Sequence, residues 1–161
     1  MPPVSASPYR RYLRWLYRGG RPNRLARVLN RIQAVVHDTG LVMPRRLATL
    51  EVRGRLTGRP VSLPVVVADY RGERYLVSML GERANWVANV RAADGRVVLR
   101  HGRRERVLLE EVPPPERAPI LRRYLALAPG ARPHIPVDRA APLEEFDRIA
   151  ERYPVFRVVS S

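Results

Sequence analysis

Cysteine and lysine are both absent from this chain of 161 residues, and long hydrophobic runs are absent as well. Without cysteine the protein has no disulfide bond, no thiol nucleophile and no thiolate metal site. Its three histidines, His37, His101 and His134, show no metal-ligand spacing, so we predict no metal site. No apolar run approaches the roughly 20 residues that a membrane-spanning helix requires, and we expect a soluble protein.

The N-terminal residues lack the order of a secretory signal, because arginines stand inside and after the apolar residues rather than before them. We therefore expect a cytoplasmic protein. Hydrophobic residues make up 45% of the chain, which is enough to form a folded core. The length favours one domain that spans residues 1–161.

Because lysine is missing, all 30 basic residues are arginine, and with 15 acidic residues they give a formal net charge of +15. The absence of lysine suggests a genome rich in G+C, where arginine codons are frequent, and such a bias would account for part of this excess. The charge still attracts anions at long range, whether nucleic acid, membrane headgroups or a polyanionic cofactor. Arginine is also suited to phosphate and carboxylate, because its planar guanidinium donates two parallel hydrogen bonds.

Hydrophobic periodicity and turn residues predict an α+β fold with an antiparallel sheet, because most strands follow one another as hairpins. An N-terminal helical segment, residues 1–40, contains a basic amphipathic helix and precedes the sheet. The predicted helices are 9–18, 23–37, 84–92, 113–128 and 142–152, and the predicted strands are 47–53, 61–69, 74–79, 96–101, 106–112 and 155–159. A charged turn, HGRRE at 101–105, is expected to join the fourth and fifth of these strands.

The stretch VRGRLTGRPVSLPVVV, residues 52–67, contains the turn between the first two predicted strands. Gly54 and Gly58 permit backbone conformations that expose N–H groups, so the turn can offer amides, the Thr57 hydroxyl and guanidinium groups to one anion. The turn therefore fits a phosphate. A solvated hairpin in an arginine-rich protein remains the alternative, and the spacing is neither that of a P-loop nor that of a Rossmann motif.

Two further motifs follow the turn: a strand that ends in serine shortly before a glycine, and a W-x-x-N-V block. Together with a G-R-x-T-G-x-P-x-x-x-P turn they resemble the deazaflavin-dependent nitroreductase and quinone reductase family. The resemblance covers residues 23–158 in element order and is sharpest at 47–100. The matching positions are Gly54, Arg55, Thr57, Gly58, Pro60, Pro64, Ser78, Gly81, Trp86, Asn89 and Val90.

The resemblance implies a split β-barrel core at residues 47–159, of the kind that also binds FMN, with N-terminal and peripheral helices. It also implies the 8-hydroxy-5-deazaflavin coenzyme (coenzyme F-420), whose phosphate and oligoglutamate tail form a polyanion. Carried over to this chain, the phosphate and tail would face Arg55, Thr57, Gly58 and Arg59. The ring would lie along Ser62, Leu63, Pro64 and Val65 and beside Val77, Ser78 and Met79, and Trp86 and Asn89 would close the site.

The reaction implied by the resemblance is hydride transfer from the reduced coenzyme to a quinone, a nitroaromatic compound or a similar conjugated acceptor. The alternatives are an FMN-binding oxidoreductase with the same barrel, a non-catalytic cofactor carrier, and a basic nucleic-acid-binding module. The module is disfavoured, because aromatic residues are few and the arginines are spread along the chain. We expect a monomer or a homodimer, with peripheral contact to the inner face of an anionic membrane through the N-terminal helices as a further hypothesis.

Two site residues stay ambiguous in the sequence. Some relatives use tyrosines in the loop before the last helix to shape the substrate pocket, and the matching loop here, 129–142, has none. His134 is the candidate proton donor in that loop, although a lone loop histidine is commonly a bystander. Trp86 is either a wall of the pocket or a tryptophan that fills the core beneath the sheet.

Overall fold

The computed structural model describes residues 46–161. In this range the chain forms, in order, β1 (Leu47–Arg53), β2 (Pro60–Val66), β3 (Ala68–Tyr70), β4 (Glu73–Val77), α1 (Asn85–Ala92), β5 (Arg96–His101), β6 (Arg103–Glu111), α2 (Ala118–Leu127), α3 (Leu143–Ile149) and β7 (Val155–Ser160). Short 3₁₀ helices occur at Pro114–Glu116, Pro129–Ala131 and Ala150–Arg152. The predicted helices 9–18 and 23–37, within the segment 1–40, lie outside the described residues.

The seven strands form one antiparallel sheet in the order β2-β1-β5-β6-β7-β4-β3. β2 and β3 stand at opposite edges of this sheet, yet only Val67 separates them in the chain. One extended segment, 60–70, therefore pairs with β1 through its first half and with β4 through its second half, which forces the sheet to curl. The result is a split β-barrel, and the predicted α+β class is confirmed.

The prediction of one strand over 61–69 is wrong at Val67, where the chain leaves one edge of the sheet for the other. The Val67 N–H makes the last hydrogen bond toward β1, to the Arg46 carbonyl at 2.7 Å. From Ala68 onward the chain pairs with β4, beginning with Tyr75. Val66, Val67 and Ala68 are all buried, so an unbroken apolar run passes through the change of partner and the sequence pattern alone does not mark it.

The hairpin between β5 and β6 is tighter than predicted. His101 pairs with Arg103 and Arg100 pairs with Arg104, so only Gly102 stands at the tip, with a φ of 77°. The charged residues of HGRRE therefore belong to the strand rather than to a turn. Along β6 the side chains alternate, so Arg104 lies on the outer face while Arg103 and Glu105 lie on the face of Val107, where Glu105 is paired with Arg74 at 3.1 Å.

Two apolar clusters pack on the two faces of the curled sheet. The concave face holds the buried side chains of β1, β5, β6 and β7, and α1 covers them with Trp86, Val87 and Val90. The other cluster lies between the sheet and the helices α2 and α3, which pack on each other. α1 therefore sits inside the barrel and α2 outside it, and the two helices meet the sheet from opposite sides of the split.

Candidate functional site

A cleft opens where the segment 60–70 crosses from β1 to β4. Its lining is almost wholly apolar and consists of Leu47, Leu63, Pro64, Val65, Val66, Val77, Met79, Leu80, Trp86 and Tyr124. The enclosed part measures about 60 Å³, whereas sites for drug-sized ligands measure about 300–1,000 Å³. A flat ring system would therefore rest one face on these walls and extend through the mouth of the cleft.

β2 offers backbone groups at this cleft because it is an edge strand. Two hydrogen bonds show which positions are paired between β1 and β2. The Gly54 N–H donates to the Arg59 carbonyl at 2.8 Å, and the Val67 N–H donates to the Arg46 carbonyl. In an antiparallel pair the hydrogen-bonded positions alternate. Ser62, Pro64 and Val66 therefore direct their backbone groups away from β1, toward the open edge. Pro64 has no N–H to leave unpaired there.

The arginine turn lies directly on α1. The Asn89 side chain is 5% exposed, and its amide oxygen accepts hydrogen bonds from the Arg55 backbone N–H at 3.1 Å and from Arg55 Nη1 at 2.9 Å. Trp86, three residues before Asn89, lines the cleft. Residues three apart on a helix are neighbours on its surface, so one face of α1 joins the turn to the cleft.

The turn holds its own amides more tightly than the sequence suggests. Gly58 N–H donates to the Gly54 carbonyl at 2.8 Å, and Arg59 N–H donates to the Thr57 hydroxyl oxygen at 3.2 Å. With Gly54 and Arg55 also engaged, the expected cradle of amides is wrong for these four N–H groups. Anion binding at the turn would depend on the guanidinium groups and on the Thr57 O–H.

The guanidinium groups of the turn carry charge with little local compensation. Arg55 uses only Nη1 for hydrogen bonds to the described residues, and the side chain of Arg59 forms neither a hydrogen bond nor an ion pair with them. Both side chains are exposed. Neither guanidinium forms an ion pair with the described residues, so both can bind a phosphate or a carboxylate.

Ser78 and Met79 have different surroundings although they are neighbours. The Ser78 hydroxyl is buried and donates to the Gly81 carbonyl at 2.8 Å, which closes the loop between β4 and α1. Gly81 has a φ of 85°, a conformation that suits glycine. Met79 is half-buried and lines the cleft. Ser78 thus supports the wall that Met79 forms.

Tyr124 is the polar side chain that the sequence did not indicate as part of the cleft. It comes from α2, is 4% exposed, and burial raises the pKa of its hydroxyl well above the usual range, so the phenol stays neutral. Its spacing from Ile120, Leu121 and Leu125 reads as the core face of a helix, which hides it among packing residues. His134, the predicted proton donor, does not line the cleft, and its carbonyl accepts from the Tyr153 hydroxyl at 2.8 Å.

The structure brings about half of the predicted site residues to the cleft: Leu63, Pro64, Val65, Val77, Met79 and Trp86. It places Arg55, Thr57, Gly58, Arg59 and Asn89 at the adjoining turn, and Ser62 and Ser78 beside the cleft wall. The sequence missed Leu47, Val66, Leu80 and Tyr124. Val66 could have been predicted, because it follows Pro64 by two residues and residues two apart on a strand direct their backbone groups to the same edge.

Neither a metal site nor a membrane-spanning helix is found in residues 46–161. No group of three histidine, aspartate or glutamate side chains stands close enough there to hold a metal ion. In the same range no helix combines the length and hydropathy needed to cross a membrane.

Comparison with known proteins gives one family. Residues 25–143 match the F420H(2)-dependent quinone reductase family, whereas no curated protein shows significant similarity to the chain. A protein of unknown function from Agrobacterium tumefaciens shares the fold, with a TM-score of 0.53 and 14% identity over 73% of this chain and 49% of its own, so the chain spans about half of that protein.

Two other solved structures are more distant in shape. An F420-H2 dependent reductase has a TM-score of 0.44 and 22% identity over 71% of this chain and 94% of its own. A conserved hypothetical protein from Mycobacterium tuberculosis has a TM-score of 0.46 and 20% identity over 80% of this chain and 79% of its own.

The described residues fit the chemistry of a deazaflavin coenzyme. The cleft is apolar and bounded by an open strand edge, and the turn beside it carries two guanidinium groups that form no ion pair with the described residues. The family match covers most of the chain, and the reductase is therefore supported over a nucleic-acid-binding module. The chain belongs to the F420H(2)-dependent quinone reductase family.

Proposed function

We propose that the protein binds the reduced deazaflavin coenzyme across the cleft and the arginine turn and uses it to reduce a quinone, a nitroaromatic compound or a similar conjugated acceptor. The observation that carries this proposal is the shared face of α1, which places the cleft-lining Trp86 three residues from Asn89, the residue that holds Arg55. An apolar slot and a basic turn in this relation match a ligand with a flat ring and a phosphate.

The cofactor contacts are assigned by chemistry. Arg55, Arg59 and the Thr57 hydroxyl would bind the phosphate, because charged forks and a hydroxyl face solvent at the turn. The ring would lie between the edge of β2 and the wall formed by Val77, Met79 and Trp86, with the Pro64 carbonyl and the Val66 N–H near its polar rim. Ser78 and Asn89 would act by holding the wall and the turn in place.

When bound, the reduced deazaflavin supplies a hydride. A quinone that accepts this hydride also takes up a proton on its carbonyl oxygen to become a hydroquinone. The Tyr124 hydroxyl is a neutral donor in the apolar lining, so it can donate a hydrogen bond to that oxygen and stabilise the negative charge that develops there. The apolar walls exclude water from the reacting atoms.

The acceptor is a small molecule, and none of the described residues that line the cleft, within 46–161, has a charged side chain. This favours a neutral conjugated acceptor over a charged one, because a charge would lose its hydration without gaining a partner. The hypothesis of contact with an anionic membrane concerns the N-terminal helices, which lie outside the described residues. It stays a prediction, as does the choice between monomer and homodimer.

Turnover with a panel of acceptors tests the proposed function. The reduced coenzyme, mixed with the purified protein and menadione or a nitroaromatic compound, should be oxidised faster than in the same mixture without protein, as followed by the absorbance of the coenzyme. Titrations with FMN, followed by fluorescence, should show weaker binding than titrations with the deazaflavin. Tight coenzyme binding without oxidation by any acceptor of the panel would identify a carrier and would contradict the proposal.

The Tyr124→Phe variant tests the role of the phenol. It should retain its fold and its affinity for the coenzyme, while the rate at saturating acceptor falls by about tenfold, the value of one lost hydrogen bond in the transition state. Tyr75→Phe is the matched control, because Tyr75 is half-buried on β4 and does not line the cleft. A rate unchanged from that of the control would remove Tyr124 from the reaction.

A further inference from the structure

A groove lies on the face of the sheet that carries α2 and α3, and it shares no lining residue with the cleft. This outer groove has a volume of about 590 Å³. Tyr70 on β3 and Tyr75 on β4 line it from the sheet. Three prolines line it from the chain between β6 and α2 and from α2 itself: Pro113, Pro115 and Pro119. The outer groove therefore combines aromatic and proline rings, and none of the motifs in the sequence pointed to it.

Some of the charges that line the outer groove are compensated within the fold. Tyr75 lies opposite Arg157 on β7, and Arg157 lies opposite Glu110 on β6, so these side chains stand in one row on the same face. Arg157 Nη2 donates to a Glu110 carboxylate oxygen at 2.6 Å. Glu111, which also lines the groove, accepts from Arg117 at 3.2 Å. Neither Glu110 nor Glu111 therefore requires a ligand.

Glu116 adds a negative charge that the fold does not compensate. It is exposed and lines the groove, and within residues 46–161 its carboxylate forms neither a hydrogen bond nor an ion pair. Glu73, opposite Tyr70 in the hairpin of β3 and β4, is exposed as well. Burial raises the pKa of the Tyr75 phenol, and the nearby charges of Glu73 and Glu116 raise it further, while Arg157 lowers it in part. Two carboxylates thus act on this groove in a chain whose net charge is +15.

The tyrosines of the outer groove already accommodate one guanidinium. The Arg71 guanidinium carbon lies 5.3 Å from the centroid of the Tyr70 ring, which is within the distance of a cation–π interaction. Tyr75 offers a second ring, and Glu116 offers a countercharge. Aromatic rings, prolines and a carboxylate together suit a ligand that carries both guanidinium groups and aromatic side chains, because each kind of group finds a match.

A second groove, which crosses β1, β5 and β6, has the same volume and the opposite charge. It is lined by Arg53, Arg96 and Arg106 and by one carboxylate, Glu51. A basic ligand would be repelled there, because like charges would be brought close together. Of these two grooves, the outer groove is therefore the one that fits a cationic segment.

The first 45 residues, which lie outside the described range, have a sequence of complementary charge. They contain nine arginines and one acidic residue, Asp38, and so hold more than half of the net charge of the chain. The stretch YRRYLRWLYR, residues 9–18, combines four arginines with four aromatic residues, and no other stretch of ten residues does so. Its composition matches the chemistry of the outer groove.

The described part of the chain begins beside the outer groove. The Arg46 carbonyl accepts from the Val67 N–H at 2.7 Å, and the Arg46 side chain is paired with Asp69. Asp69 directly precedes Tyr70, which lines the groove. Residues 19–45 connect Arg46 to the arginine-rich stretch and could span up to about 90 Å. A segment tethered in this way has a high effective concentration at the groove.

We propose that the outer groove binds residues 9–18 of its own chain. The guanidinium groups of the stretch would pair with Glu116 and Glu73, and its aromatic side chains would contact Tyr70, Tyr75 and the three prolines. The inference does not rest on the proposed function, because the groove and the cleft have separate linings. The most basic stretch of the chain would then be held against the protein's own surface and kept from other anions.

Crosslinking of the full chain tests the proposal. Because the sequence has no cysteine, two introduced cysteines are the only thiols. Ser7→Cys precedes the stretch, and Pro115→Cys is exposed in the lining of the groove. A short bis-maleimide should join them within one molecule, as mass spectrometry of the digested protein detects. The yield should be at least about fivefold that of the pair Ser7→Cys and Arg104→Cys, because binding raises the local concentration of the stretch at the groove.

Arg104 and Asp94 provide the matched controls. Arg104 is exposed and stands six positions before Glu110 on β6, about 20 Å away. Glu116→Arg, added to the variant with Ser7→Cys and Pro115→Cys, should lower the yield by about fivefold, the effect of one exposed ion pair. Asp94→Arg reverses the same charge at an exposed position outside the groove and should keep the yield. Circular dichroism establishes that each variant is folded.

Three results would overturn the proposal. Equal yields at Pro115→Cys and Arg104→Cys would mean that the stretch does not prefer the groove. Equal loss of yield in Glu116→Arg and Asp94→Arg would mean a general effect of charge. Crosslinks that join two molecules, and not the two sites of one, would assign the groove to a second copy of the chain.

Discussion

Replacing Arg117 by alanine should lower the free energy of unfolding by about 3–5 kcal/mol, because it removes a buried guanidinium that donates to three acceptors. Arg117 precedes α2 and is 3% exposed. Its Nε donates to the Val112 carbonyl at 2.7 Å, its Nη1 to the Ala150 carbonyl at 3.0 Å, and its Nη2 to a Glu111 carboxylate oxygen at 3.2 Å. The substitution would remove one donor from each of these oxygens; the Glu111 oxygen would keep Arg91 Nη2 and the Ala150 carbonyl would keep the Tyr153 N–H.

Glu111 connects this buried cluster to the site. Arg91, at the end of α1, donates to the Glu111 carboxylate at 2.5 and 3.0 Å and to Glu82 at 2.7 Å. The hydrogen bonds from Arg91 hold the pKa of Glu82 below its usual range, so the Glu82 carboxylate stays charged near neutral pH. The helix that carries Trp86 and Asn89 is therefore tied to β6 and, through Arg117, to the 3₁₀ helix before β7.

Urea unfolding followed by circular dichroism measures the effect of Arg117→Ala. Arg122→Ala is the matched control, because Arg122 lies on α2, is exposed, and should change the free energy of unfolding by less than about 0.5 kcal/mol. Arg117→Lys keeps the positive charge but cannot donate to all three acceptors at once, so it should recover only part of the lost free energy of unfolding. A loss below about 1 kcal/mol in Arg117→Ala would show that solvent replaces the missing donor.

Arg117 also shows where sequence reasoning reaches its limit. In a chain whose 30 basic residues are all arginine, nothing local separates the buried Arg117 from the exposed Arg122. Periodicity and turn residues did predict β1, β5 and α1 closely, because alternating apolar residues and glycines are local signals. The partner of each guanidinium is set by tertiary contacts, so it could not be predicted.

The residues of the candidate site also divide into those that local sequence signals predict and those that tertiary contacts determine. Gly54, Gly58 and the W-x-x-N block could be read from the sequence, since backbone conformation and helical spacing are local properties. The contact of Asn89 with Arg55 joins residues 34 apart, and Tyr124 reaches the cleft from a helix that packs on the opposite side of the sheet from α1. Such positions become visible only once the curl of the sheet and the division of 60–70 at Val67 are known.

Trp86 belongs both to the core and to the wall of the cleft, so both interpretations that the sequence left open apply to it. Its ring is 8% exposed and lies 5.5 Å from the ring of Phe156 in a tilted arrangement within the concave core. It also lines the cleft beside Val77 and Met79. Trp86→Ala should therefore lower the free energy of unfolding by about 3–5 kcal/mol, and the cavity it leaves should also weaken coenzyme binding.

Trp86→Phe separates packing from the pocket wall. Phenylalanine keeps an aromatic ring against Phe156, so the loss of stability should stay near 1 kcal/mol. The wall that faces the ring of the coenzyme becomes smaller, and looser positioning should slow oxidation of the reduced coenzyme by menadione by about tenfold or more, because hydride transfer depends steeply on the placement of the reacting atoms. Unfolding midpoints, coenzyme titrations and oxidation rates are measured on the same samples.

Phe156→Leu is the control for Trp86→Phe. Phe156 is 1% exposed, belongs to the same concave cluster and does not line the cleft. It should lose a similar or larger free energy of unfolding while it keeps the oxidation rate of the unmutated protein at temperatures below its unfolding transition. If both variants slow the reaction in proportion to their loss of stability, Trp86 acts through the core alone. If only Trp86→Phe slows the reaction, the tryptophan contacts the bound coenzyme, because Phe156→Leu loses stability without changing a residue that lines the cleft.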